Sequence, residues 1–143
     1  MYAHLPYLVA GLLIGACMHL PFGLFVPVRR RTPVKNAFYL GVSITFKTQE
    51  DKKEMLEMFA PLAEYVSIHE LTTISYELMN SDKDPLHVYI LERYVDKENA
   101  FLGIHRSSKE FLSFREKLGV MIKDKGVVVE GDSFIESGMG FVH

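Results

Sequence analysis

A chain of 143 residues that is 48% hydrophobic and 24% charged has room for one domain of ordinary size, and its composition excludes a disordered polymer. Its net charge of −2 is unevenly spread: nothing before Arg29 is formally charged, Arg29, Arg30, Arg31 and Lys35 are basic, and Asn36–His143 carries 12 basic against 18 acidic side chains. An acidic domain without a basic stripe offers little to a phosphate backbone, so nucleic acid is excluded as a partner, and the single cysteine, Cys17, excludes an internal disulfide.

In chain order, the first feature is Leu5–Val28, uncharged and mostly apolar for more than the roughly 20 residues that a spanning helix needs. It predicts one transmembrane helix within an anchor of residues 1–31, with Pro6 in its first turn and Pro21 as a kink or end. Tyr2 and Tyr7 on one side and Arg29–Arg31 on the other are placed as interfacial anchors. Because the basic residues sit only on the C-terminal side, the domain that follows is predicted to face the cytoplasm or the equivalent side of an organelle membrane. A cleaved signal peptide is the competing reading, although a positive n-region is missing. Gly11 and Gly15 have the spacing that lets a second helix approach, which suits a subunit of a membrane complex.

Residues 32–37 form a linker, and residues 38–143 the domain. Phe38, Leu40, Val42, Ile44 and Phe46 alternate with Tyr39, Gly41, Ser43 and Thr45, a half-buried strand. Thr48 with Asp51 three residues on starts a helix that continues through Met55, Phe59, Leu62 and Val66, with Pro61 bending it. Thr72–Met79 and Leu86–Tyr94 are strands joined by the polar loop Asn80–Pro85, an antiparallel hairpin. Asp96 caps a helix through about Arg106, and Ser107 with Glu110 forms a capping box for the next, which buries Phe111, Phe114 and Leu118. Gly119 weakens this helix, Gly126 ends the loop after it, and Val127–Phe134 is the last strand. The order β-α-β-β-α-β predicts a ferredoxin-like α+β sandwich, with helices on one face of a four-stranded antiparallel sheet. The other face needs a cover, which predicts a homodimer through the sheet face.

Several side chains are candidates for chemistry. His105 titrates near neutrality and can take a proton from a phenol or quinol; its alternative is helix packing. Glu92, among apolar strand neighbours, either orients His105 or pairs with Arg93, Arg106 or Arg115. Tyr76, Tyr89 and Tyr94 either stack on an aromatic ligand or fill the core. His69 and His87 have no partner at ligand spacing, Met55, Met58 and Met121 read as core fillers, and no metal site is predicted. Phosphate-loop, dinucleotide and serine-hydrolase motifs are lacking.

The segments Glu70–Leu78, Tyr89–Tyr94 and Ala100–His105, followed by Ser107 and Phe111, resemble the antibiotic biosynthesis monooxygenase (ABM) family of the dimeric α/β-barrel group, over Asn36 to about Phe134. The resemblance implies a homodimer and relatedness to cofactor-free quinol and polyketide oxygenases, so no cofactor is expected. The chain has no tryptophan, which separates it from the haem-degrading branch. Two functions remain open at this point. One is a membrane-anchored, cofactor-independent monooxygenase acting on a quinol or other lipid-soluble aromatic, with His105 and Glu92 catalytic and Tyr76, Tyr89 and Tyr94 binding the ring. The other is a non-catalytic accessory subunit of a membrane complex.

Overall fold

The computed structural model describes residues 34–140. Leu5–Val28 lies outside these residues; within them no helix is long and apolar enough to cross a membrane. The elements are β1 (Phe38–Thr45), α1 (Gln49–His69), β2 (Thr73–Asn80), β3 (His87–Tyr94), a π-helix (Lys97–Ile104), a 3-10 turn (His105–Ser107), α2 (Lys109–Lys125) and β4 (Val128–Ile135). All strands pair antiparallel in the order β2-β3-β1-β4, which is the ferredoxin-like α+β fold.

The alternation in β1 sends Phe38, Leu40, Val42 and Ile44 to the helix side, and register carries the same side to Val88, Ile90, Glu92 and Tyr94 of β3. Ile44, Phe46, Met55, Leu62, Val88 and Met121 are buried together where α1 and α2 cover the sheet. Each such side chain contributes about 1.5–3 kcal/mol on leaving water. A second, smaller apolar cluster of Phe38, Tyr94, Ala100 and Phe101 lies under the π-helix.

Caps fix the helices. Thr48 accepts from the Asp51 amide at 3.1 Å and donates to the Asp51 carboxylate at 2.7 Å, satisfying one of the free amides at the start of α1. Pro61 sits inside α1 without ending it. Two sequence expectations are corrected here. Ser108, not Ser107, caps α2, accepting from the Phe111 amide, while Ser107 turns back on the carbonyls of Gly103 and Ile104. No loop separates α2 from Gly126: the helix runs through Gly119 to Lys125 and closes on Gly126, whose φ of 66° suits glycine.

Candidate functional site

The site is built where α1, the hairpin β2-β3 and the π-helix meet. Period-two alternation in β3 turns Glu92 and Tyr94 inward and Tyr89, Leu91 and Arg93 outward. A register shift between Thr73 and Ser75 then sets Tyr76 of β2 opposite Glu92. Tyr76 stacks on Phe59 of α1 at 5.3 Å, which holds it on the helix side.

Asp96 starts the next segment by accepting from the amides of Asn99 and Ala100. The segment winds as a π-helix, in which the Phe101 amide bonds the Asp96 carbonyl and the His105 amide reaches the Ala100 carbonyl, each five residues back. This wide turn is uncommon and recurs at functional sites. It delivers His105, wholly buried, into a ring cage: Phe111 at 4.7 Å, Tyr76 and Tyr94 each at 5.4 Å and Phe101 at 6.2 Å between centroids.

The imidazole is held by Glu70, the residue that ends α1. His105 Nδ1 lies 3.0 and 3.2 Å from the two Glu70 carboxylate oxygens, and Thr73 Oγ1 donates to the same carboxylate at 3.0 Å. A carboxylate accepts only, so Nδ1 carries the proton and Nε2 carries the lone pair. Among the described residues Nε2 has no hydrogen-bond partner. Glu70 stands at the carbonyl end of α1, where the helix dipole disfavours a negative charge, so His105 and Thr73 offset an otherwise costly placement.

Burial holds His105 below its ordinary pKa, outweighing Glu70, which favours the charged form. The ring is therefore neutral at pH 7 and available as a base. Glu92 is pushed up to about 7, chiefly by burial and also by the nearby Glu70 charge, against the hydrogen bond it accepts from Tyr94 at 2.8 Å. Burial, with the surrounding carboxylates, also raises Tyr76 and Tyr94, which stay protonated donors. Two phenols, a proton-poised carboxyl and an imidazole with a free lone pair thus pack into one buried cluster, an arrangement suited to moving a proton.

Four of the five predicted site residues, His105, Glu92, Tyr76 and Tyr94, come together. Their pairing differs from expectation. Glu92 does not hold His105, nor does it pair with Arg93, Arg106 or Arg115; its carboxylate accepts from Tyr94, and Arg93 instead bonds Glu136 at 2.7 Å on the opposite side of the sheet. Tyr89 is separated from the others: it faces out, lies across Gly41, and lines a cavity of about 360 Å³ with Tyr39, Leu91, Phe134 and the tail at Glu136–Gly140. Glu70 is the functional candidate that sequence reasoning missed. Its signal was a carboxylate at a helix C-terminus followed by Leu71 and a threonine pair. A second cavity, about 320 Å³, opens between α1 and β2 and is lined by Glu70 and Tyr76 together with Val66, Leu71 and Ile74. Among the described residues no group of three His, Cys, Asp or Glu is arranged to hold a metal ion.

Fold and site together define a ferredoxin-like α+β domain with a buried histidine–carboxylate pair. The family model described as antibiotic biosynthesis monooxygenase matches residues 40–117, more than half of the chain, and the chain belongs to this family. No curated protein matches it. Among solved structures it is similar to SnoaB, a cofactor-independent oxygenase from Streptomyces nogalater, at 14% identity and TM-score 0.58, covering 71% of this chain and 94% of the other. It is similar to a conserved protein of Methanosarcina mazei at 20% identity and TM-score 0.58, over 71% and 93% of the two chains. A Bacteroides thetaiotaomicron protein, described as a possible oxidoreductase, shares 18% identity at TM-score 0.57, over 71% and 99%. At such identities the likeness is one of fold.

Proposed function

We propose that the chain is a membrane-tethered, cofactor-independent monooxygenase that oxidises a quinol or another lipid-soluble, electron-rich aromatic. The observation that carries this reading is the buried His105, fixed by Glu70 through Nδ1 and left with an unpartnered Nε2. His105 Nε2 removes a proton from the substrate, and Glu70 stabilises the imidazolium formed. The resulting anion reduces oxygen directly. In the balanced reaction a substrate RH2 and O2 give R=O and water, so the substrate supplies the four electrons that reduce the two oxygen atoms, and its two hydrogens leave in the water. Tyr76 and Tyr94 donate to the developing charge, and Glu92 takes or returns a proton through Tyr94. Leu5–Val28, apolar and followed by Arg29–Arg31, supports the tether and a domain on the cytoplasmic or equivalent organellar side. Exposed Tyr89 and Phe134 on the open sheet face support pairing with a second copy.

The test is oxygen uptake by the full chain in detergent with a panel of quinols. Uptake should fall by about 10²–10⁴-fold in His105→Ala, as for loss of a general base, and fall less in the isosteric Glu70→Gln. Uptake at the protein-free rate, or unchanged in His105→Ala, would sink the proposal.

The complete enclosure of His105 by aromatic rings favours a second reading, a non-catalytic accessory subunit of a membrane complex that keeps the cluster as packing. Mild detergent extraction and native electrophoresis with mass spectrometry separate the two: migration as a small homodimer alone speaks against the subunit.

A further inference from the structure

The chain enters the described domain at the same end as the His105 cluster. Ala37 and Glu136 are joined by a backbone bond of 2.9 Å, Val95 and Thr72 by one of 3.0 Å, Phe38 packs on Phe101 at 4.9 Å, and His105 bonds Glu70. The start of β1, the end of α1 and the π-helix therefore share one end of the sheet. Aliphatic side chains project into solvent there: Leu71 is 91% exposed and Ile68 59% at the tip of α1, and Ile104 is 42% exposed and Leu102 37% on the π-helix. Beside Leu71 opens the cavity whose inner wall is Glu70 and Tyr76.

We propose that this end, the tip of α1 with the π-helix, seats on the lipid surface of a bilayer, and that a lipid-soluble substrate passes from the membrane into the Glu70–Tyr76 cavity. Aliphatic side chains exposed together around a cavity mouth mark an interaction surface. The occupant is lipid because the residues before Val34, including apolar Leu5–Val28 and Arg29–Arg31, join the domain at this end and bring a bilayer to it. The exposed charges nearby are mixed, Lys35, Lys97 and Lys109 against Glu98, so seating depends on aliphatic insertion and not on anionic lipid. The seating rests on the tether reading of Leu5–Val28, and the substrate route rests on the oxygenase reading as well.

The experiment uses the full chain in phosphatidylcholine vesicles, in a Cys17→Ser background, with a bimane label at Leu71→Cys, Ile104→Cys or, at the far end of α2, Lys123→Cys. Brominated phosphatidylcholine should quench the first two labels several-fold more than the third, with little change on adding salt or anionic lipid. Equal quenching at all three positions overturns the proposal. So does protection of Leu71→Cys from aqueous iodide in native membranes without quenching in pure lipid, which assigns the surface to a protein partner. A double variant, Ile68→Ser with Leu102→Ser, should raise KM for a bilayer-dissolved quinol and leave kcat on a water-soluble analogue unchanged. Quenching as described with no quinol oxidised keeps the lipid seat and removes the oxygenase; oxidation without differential quenching does the reverse.

Discussion

The two ends of the domain's interior solve the burial problem in opposite ways. Away from the chain entry, Ile44, Phe46, Met55, Val88 and Met121 fill the space between sheet and helices, and the charged side chain buried there, Lys52, donates to the Pro85 carbonyl at 2.8 Å. At the entry end the same two layers enclose His105, Glu70 and Glu92, each nearly or wholly out of solvent. Enclosing ionisable groups costs stability unless every one is paired, and here one imidazole nitrogen is not. The difference teaches that one end supplies stability and the other draws on it, the division expected when a fold carries a reactive site.

The sharpest way to break this comparison is to damage the apolar end. Ile44→Ala removes a fully buried side chain against α1 and α2, and should cost about 2–5 kcal/mol in urea unfolding of the full chain in detergent. A loss under about 1 kcal/mol would show that this end does not carry the fold.

The next effect is the pH dependence that the buried groups of the polar end contribute. Glu92 moves from 4.5 to about 7 on folding, so the folded state holds a proton that the unfolded state releases. Its share of stability is complete below about 4.5 and is lost as pH rises through about 7, up to about 3 kcal/mol. His105 acts in the opposite sense: held below 6.5, it contributes above that pH and loses its share as pH falls. The two slopes oppose each other in the wild type. Glu92→Gln should leave a protein whose urea midpoint rises with pH up to about 6.5, and His105→Gln one whose midpoint falls toward about 7. Identical pH profiles in the two variants would contradict the assignment.

Much of this architecture was legible in the residues. Strict alternation in β1 marks the strand and its inward face, and Thr48 and Asp96 are local signals whose partners lie within four residues. The separation of Tyr89 from Glu92 and Tyr94 was also readable, because period two puts residue 89 on the opposite side of β3 from 92 and 94. What could not be read was the His105–Glu70 pair. It spans 35 residues, and forms only because α1 ends beside the π-helix and the shift at Thr73/Ser75 sets the register of β2. Glu92 looked the better partner since apolar neighbours surround it in sequence, but the strand hands its carboxylate to Tyr94, two residues away. Nor does any composition rule announce eight residues of π-helix; the five-back bonds depend on how Phe101 and His105 pack.

The smallest predicted effect separates the two serines that open α2, and with them the local from the tertiary account of this turn. Ser108 Oγ accepts from the Phe111 amide at 3.2 Å and donates to the His105 carbonyl at 2.9 Å, so one hydroxyl both caps α2 and ties it to the residue bearing the site. Ser107 Oγ only donates to the carbonyls of Gly103 and Ile104, exposed residues whose oxygens can turn to water. Ser108→Ala should therefore lower stability by about 1 kcal/mol. Ser107→Ala should cost no more than about 0.5 kcal/mol, the low end for a solvent-replaceable hydrogen bond. Thermal melts of the two variants side by side decide it. A larger loss in Ser107→Ala would restore the Ser107–Glu110 capping box that the sequence suggests and would move the start of α2 back by one residue. The order predicted here instead makes the cap part of the support for His105, since Ser108 bonds its carbonyl and Phe111 packs on its ring.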